Sequence, residues 1–140
     1  EITEGLVGSE MCIRDSDGVV LKDLTKISTI NLNDQFVILN LWARCIPCEN
    51  EVSELKIISE TKGYSVIGIL VEDSAENGME FIKKNKITYQ NVLDSAIAES
   101  ILIQFIWSGI PTTLVLDNNL NIISTISGEI TANQIFELTK

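Results

Sequence analysis

The run "FVILNLWA", residues 36–43, constrains this chain more than any other stretch. All of it except Asn40 is apolar, and much of it is Val, Ile and Leu. A strand with one wet face alternates apolar and polar residues; a run like this one predicts a strand buried on both faces. Covering both faces takes a layer of helices on each side, so the expected fold class is α/β. The rest of the chain supplies what that needs. "YSVIGILVE", 64–72, predicts a second buried strand, and "TYQNVLD", 88–94, a short one. "TTLVLD", 112–117, predicts a strand whose hairpin partner is "IISTISGE", 122–129, across a polar turn.

Helices are expected between these strands. Residues 49–60 place Val52, Leu55 and Ile58 or Ser59 three apart on one face. Ser74 is the expected N-cap of a helix over 75–86 with Met79, Phe81 and Ile82 turned inward. Gly78 should weaken that helix by about 1 kcal/mol relative to Ala. Asp94 or Ser95 should cap a helix over 96–105. Thr131 and Gln134 form a capping box for the last helix, with Ile130 and Ile135 as its hydrophobic staple. Residues 19–24 read as a further edge strand. At 140 residues, with no long linker, the chain is expected to hold one domain.

Composition narrows the chemistry. There is no histidine, which removes His-based acid–base catalysis, Ser-His triads and His-ligated metals. The net charge of −10 offers no basic footprint for nucleic acid. No apolar stretch is long enough to span a membrane as a helix. Three cysteines are too few for a disulfide scaffold. The chain starts at Glu1 rather than Met, so a fragment or processed form is expected, and the absence of a signal peptide says nothing about compartment. Residues 6–16, "LVGSEMCIRDS", match the translation of a transposase adapter used to prepare sequencing libraries. Residues 1–16 are therefore expected to be a non-native segment, and residues 17–140 the domain. Cys12 falls in that segment and is given no role.

The remaining cysteines, Cys45 and Cys48, stand at a strand-to-helix junction. Two cysteines three apart can close a disulfide there. Cys45 would meet the free N–H groups of the first helical turn, which favour a thiolate. The thiolate opens a substrate disulfide, and Cys48 resolves the mixed disulfide that results. Pro47 suits a first turn, where N–H groups lack partners. A structural zinc site would want four Cys or His ligands, and one pair without histidine does not supply them. Two unrelated buried cysteines are the plain alternative. A peroxidase would want Thr three residues before a cysteine, and neither cysteine has it.

Together "FVILNLWARCIPCENE" and "GIPTTLVLDNN" resemble the thioredoxin superfamily, and within it the TlpA/ResA-like thiol–disulfide oxidoreductases. The resemblance covers roughly residues 19–140. It implies a thioredoxin-like fold: a central mixed sheet flanked by helices on both faces, with a helix–strand insertion over residues 74–105. It implies Cys45 as nucleophile, Cys48 as resolving thiol and Glu51 as the acid that carries a proton for Cys48. Glu51 could instead be a first-turn acid complementing the helix dipole. Ile110-Pro111 would be the cis-proline loop that offers backbone to a substrate. Asn40 stands where thioredoxins of the common type carry a buried Asp. With Arg44, Ile46 and Pro47, this loop makes the expected substrate surface. Trp107 either joins that surface or serves the core.

Two departures stand out. The family pattern Trp-Ala-x-Trp-Cys is one residue shorter here, as Trp42-Ala43-Arg44-Cys45, so Arg44 replaces an aromatic and its charge should favour the Cys45 thiolate. Ser53 stands where the family often has a helix-kinking proline, which predicts a straighter first helix. The resemblance implies no cofactor beyond the Cys45–Cys48 disulfide, and no metal. It implies protein disulfides as substrates, a thiol electron donor, and an extracytoplasmic location, for which a membrane anchor upstream of Glu1 is one form. The neutral Ile46-Pro47 spacer points to a reductant rather than a strong oxidant. The shortened loop leaves a redox-inactive binding module as the non-enzymatic alternative.

Overall fold

A computed structural model describes residues 34–140. The segment 1–16 with Cys12 and the strand expected over 19–24 lie outside the described residues.

Ten elements follow in chain order: β1 (Phe36–Trp42), α1 (Ile46–Asn50), α2 (Val52–Ser59), β2 (Tyr64–Leu70), α3 (Ala75–Lys84), β3 (Gln90–Val92), α4 (Ser95–Leu102), β4 (Thr112–Asp117), β5 (Ile122–Ser127) and α5 (Ala132–Leu138). The strands form one mixed sheet in the order β3-β2-β1-β4-β5. β1 and β2 are parallel, as are β2 and β3; β4 runs antiparallel to β1 and to β5. β1 lies at the centre, as its apolar run requires, and every residue from Val37 to Trp42 is buried.

Alternation along β1 sends its side chains into two layers. Val37, Leu39 and Leu41 join Ala98 and Ile101 of α4 in one core. Ile38 joins Leu55 and Ile58 of α2 with Ala132 and Ile135 of α5 on the other face. At the carboxyl end of the strand, that second face continues as Trp42, Cys48, Val52, Leu70 and Phe81. Helices therefore cover both faces. The capping box of α5 is present, and Ser74 and Asp94 cap α3 and α4.

Three expectations need correction. The helix over 49–60 begins earlier and is divided at Glu51, although Ser53 replaces the kinking proline. At the division the Glu51 N–H turns to the Glu49 carbonyl, and its carboxylate is buried and accepts the Ile130 N–H. Met79 does not face in: it is half exposed, while Phe81 carries the packing of α3. Gly78 is a close-approach position and not merely a weak helix former. A Cβ there would stand 2.7 Å from Leu70 Cδ2 and 3.0 Å from Leu93 Cδ2.

Candidate active site

The end of β1 delivers the chain to the site. Cys45 has extended backbone and caps α1, with Pro47 in the first turn. Its Sγ accepts the Cys48 N–H at 3.1 Å. A sulfur held by a helical N–H is stabilised as an anion, which lowers the cost of the thiolate in the reduced form. Cys45 and Cys48 are joined as a disulfide, with Cα atoms 5.1 Å apart. The two sulfurs differ in access: Cys48 is 2% exposed, whereas Cys45 is only partly buried. An external disulfide can reach Cys45 and not Cys48.

Glu51 follows three residues after Cys48 and is 1% exposed. Its Oε1 accepts from Asn40 Nδ2 at 2.5 Å and its Oε2 from the Ile130 N–H at 3.1 Å. Burial pushes its pKa up from the ordinary 4.5 to about 7, against the pull of these two donors; the nearby Glu129 carboxylate pushes the same way. A carboxyl poised there can accept or release a proton at neutral pH. Asn40 also donates to Thr113 Oγ1 at 3.3 Å, so β1, β4, the α1–α2 junction and the segment just before α5 meet in one buried polar cluster. Tyr89 is shifted further from its ordinary phenol range, upward, by its own burial and by the Glu51 charge.

The second wall comes from the loop before β4. The Ile110-Pro111 peptide is cis, and Gly109 adopts a positive φ of 71°. Thr112 Oγ1 donates to the Gly109 carbonyl at 2.8 Å, and the Gly128 N–H donates to the Pro111 carbonyl at 2.8 Å, so the loop is held from both sides. Ile110 and Cys45 pack against the same cluster around Trp42 and Cys48. Ile46, 75% exposed, and Pro47 present surface beside the pair.

Arg44 differs from what the sequence led us to expect, and Trp107 takes the core position that was one of its two readings. Arg44 lines the same cavity as Cys45, but its Nε bonds Asp73 Oδ2 at 2.9 Å. The charge that was expected to favour the thiolate is thus paired with Asp73. Asp73 is itself held below the usual carboxylate range, first by the Asn77 side chain and the Ser74 N–H and then by Arg44. Trp107 packs on the α4 side of the sheet and lines a cavity with Ala43, Gly109 and Ile110. It reaches the cis-proline loop from behind and does not line the cavity at Cys45.

Sequence reasoning placed Asn40 at a buried position and turned Phe81 inward, but it gave neither a partner at the site and passed over Asp73. Asn40 carries a readable signal: it is the one polar residue in the apolar run of β1. Phe81 was legible only as a core residue and Asp73 carried no signal, because only packing brings them to the cysteines. Among the described residues no group of His, Cys, Asp and Glu could hold a metal ion.

Residues 15–125 match the model of the AhpC/TSA family. The thiol–disulfide oxidoreductase ResA of Geobacillus thermodenitrificans is 28% identical over 103 residues, which is 71% of this chain and 58% of that protein. This chain thus spans little more than half the length of that relative. A secreted thiol–disulfide isomerase from Corynebacterium glutamicum is 33% identical, with a TM-score of 0.64 over 74% of this chain and 68% of that one. StoA from Bacillus subtilis is 26% identical, with a TM-score of 0.64 over 91% of this chain and all of that one.

Proposed function

Because the chain belongs to the AhpC/TSA family and is a ResA-like, thioredoxin-fold thiol–disulfide oxidoreductase, we propose that it acts as a reductant of protein disulfides. The observation that carries this is the division of labour in the pair: an accessible Cys45 at a helix cap, and a buried Cys48 followed three residues later by Glu51, whose pKa is raised by burial.

In the reduced form the Cys45 thiolate attacks one sulfur of a substrate disulfide. A bond forms between Cys45 and the substrate, and the second substrate sulfur leaves as a thiolate. The Cys48 thiol then gives its proton to Glu51 and attacks Cys45 Sγ. The mixed disulfide breaks, the first substrate sulfur is released, and Cys45–Cys48 is oxidised. Two electrons have passed to the substrate, and a thiol donor restores the dithiol. Ile110, with Ile46 and Pro47, is the surface against which the substrate rests while the sulfurs align, and the buried Pro111 holds that loop in its cis turn. The reductive direction is supported by the uncharged spacer between the cysteines and by the pairing of Arg44 with Asp73, both of which limit stabilisation of the thiolate.

A protein disulfide substrate and an extracytoplasmic location fit the secreted Corynebacterium relative. No helix among the described residues is long and apolar enough to cross a membrane. A peroxidase reading lacks its threonine, since Trp42 stands three residues before Cys45.

Reduction of insulin disulfides by the chain tests the proposal. We expect turnover with the native dithiol and background rates for both Cys45→Ser and Cys48→Ser, with Cys48→Ser accumulating a mixed disulfide. Activity retained in either variant sinks the two-cysteine mechanism. A folded native chain that exchanges with no disulfide leaves the binding-module reading in its place.

A further inference from the structure

The side of Cys45 that faces α3 is a groove with a definite charge pattern. A cavity of about 310 Å³ is lined by Arg44, Cys45, Ile46 and Glu49 on one side and by Glu80, Phe81 and Lys84 of α3 on the other. Phe81 makes its floor and is held by stacking on the buried Trp42, with ring centroids 4.8 Å apart. Ile46 stands exposed at its rim.

Both cations of the groove are committed. Arg44 bonds Asp73, and Lys84 reaches across the groove to Glu49 Oε2 at 3.1 Å instead of turning back to Glu80 one helical turn away. Glu80 has no ion-pair or hydrogen-bond partner among the described residues. One uncompensated carboxylate therefore overlooks an apolar floor next to the reactive sulfur.

We propose that this groove selects substrates in which a lysine or arginine flanks the cysteine under attack; the proposal rests on Cys45 being the attacking sulfur. The aliphatic stem of such a residue lies along Ile46 and Phe81 while its charged head reaches Glu80. An acidic neighbour meets Glu80 with no unpaired cation to receive it. The chain's net charge of −10 works in the same direction at longer range.

The test uses two short peptides, one with lysine and one with glutamate on both sides of a cysteine that carries nitrothiobenzoate in a mixed disulfide. Attack by the reduced chain forms the Cys45–peptide disulfide, and nitrothiobenzoate leaves as its coloured thiolate. The ratio of the lysine to the glutamate rate is divided by the same ratio for free dithiothreitol, which removes the peptides' own reactivity. We expect the native chain to favour lysine by about two- to five-fold, the size of a solvent-exposed ion pair, and the preference to shrink in high salt. Glu80→Lys should invert it. Glu137→Lys, the same charge change at the exposed end of α5, should leave the native ratio nearly in place. Equal ratios for native and Glu80→Lys, or an equal shift from Glu137→Lys, overturn the groove's role while leaving disulfide exchange standing. No release from either peptide overturns the exchange reading and this proposal with it.

Discussion

At the scale of single residues, Glu51 is the most informative side chain. Its carboxyl is raised from 4.5 to about 7, with burial the first cause. Between those values the folded chain keeps a proton that the unfolded chain has lost. The folded state then binds more protons, so its stability falls as pH climbs from about 4.5 to about 7 and levels off above. At about 1.36 kcal/mol for each pH unit, the full effect is on the order of 3 kcal/mol. Urea unfolding of native chain and Glu51→Gln across this range checks it: the native curve should slope and the variant should lack that slope. The same variant should slow formation of the Cys45–Cys48 disulfide from the mixed disulfide and flatten its pH profile near 7. Unchanged resolution and unchanged titration of the dithiol would remove Glu51 from proton transfer. Its position after the cysteines was legible in the sequence. Its partners were not, because Asn40 and Ile130 lie 11 and 79 residues away.

At the scale of elements, the contact of α3 with the cysteines depends on a missing side chain. Gly68 of β2 is paired with Asn40 on one side and Asn91 on the other. A Cβ at this glycine would stand 1.8 Å from Asn91 Oδ1 and 2.7 Å from Trp42 Nε1. That space holds the 2.9 Å hydrogen bond from Trp42 Nε1 to Asn91 Oδ1, which fixes the indole under Phe81. Gly68→Ala should therefore cost about 1–3 kcal/mol by overpacking. It should also change Trp42 fluorescence in the folded state. A variant with native stability and a native spectrum would show that Asn91 moves aside at no cost. The strands and helices themselves were legible, since period, caps and turn residues are local signals. The division between α1 and α2 at Glu51 was not, since no Pro or Gly marks it in the sequence.

At the scale of the whole molecule, one sheet carries two cores of different kinds. The α4 side is lined mainly by aliphatic side chains, with Thr112 and Thr125 its buried hydroxyls, while the opposite side holds the Asn40–Glu51 hydrogen bond. Leu39, fully buried at the centre of β1, belongs to the first. Leu39→Ala should cost about 2–5 kcal/mol, as large-to-small changes in tight cores do. Ile103, 79% exposed after α4, should tolerate alanine within about 0.5 kcal/mol. Denaturant midpoints for the two variants check the contrast, and a matching loss at Ile103 would mean that its surface is covered in solution.

The amino-acid sequence by itself determined the α/β class, the central strand, the capped helices and the placement of Cys45 and Cys48 at a strand-to-helix junction. These depend on periodicity and on residues within a few positions of one another. Tertiary structure alone decided which sulfur is reachable, why Glu51 titrates near 7, what Arg44 pairs with and where Phe81 closes a groove. Each of those depends on burial and charge contributed by elements far apart in the chain. Solvent exclusion and short-range pairing act on distances in space, and only the packed sheet sets these.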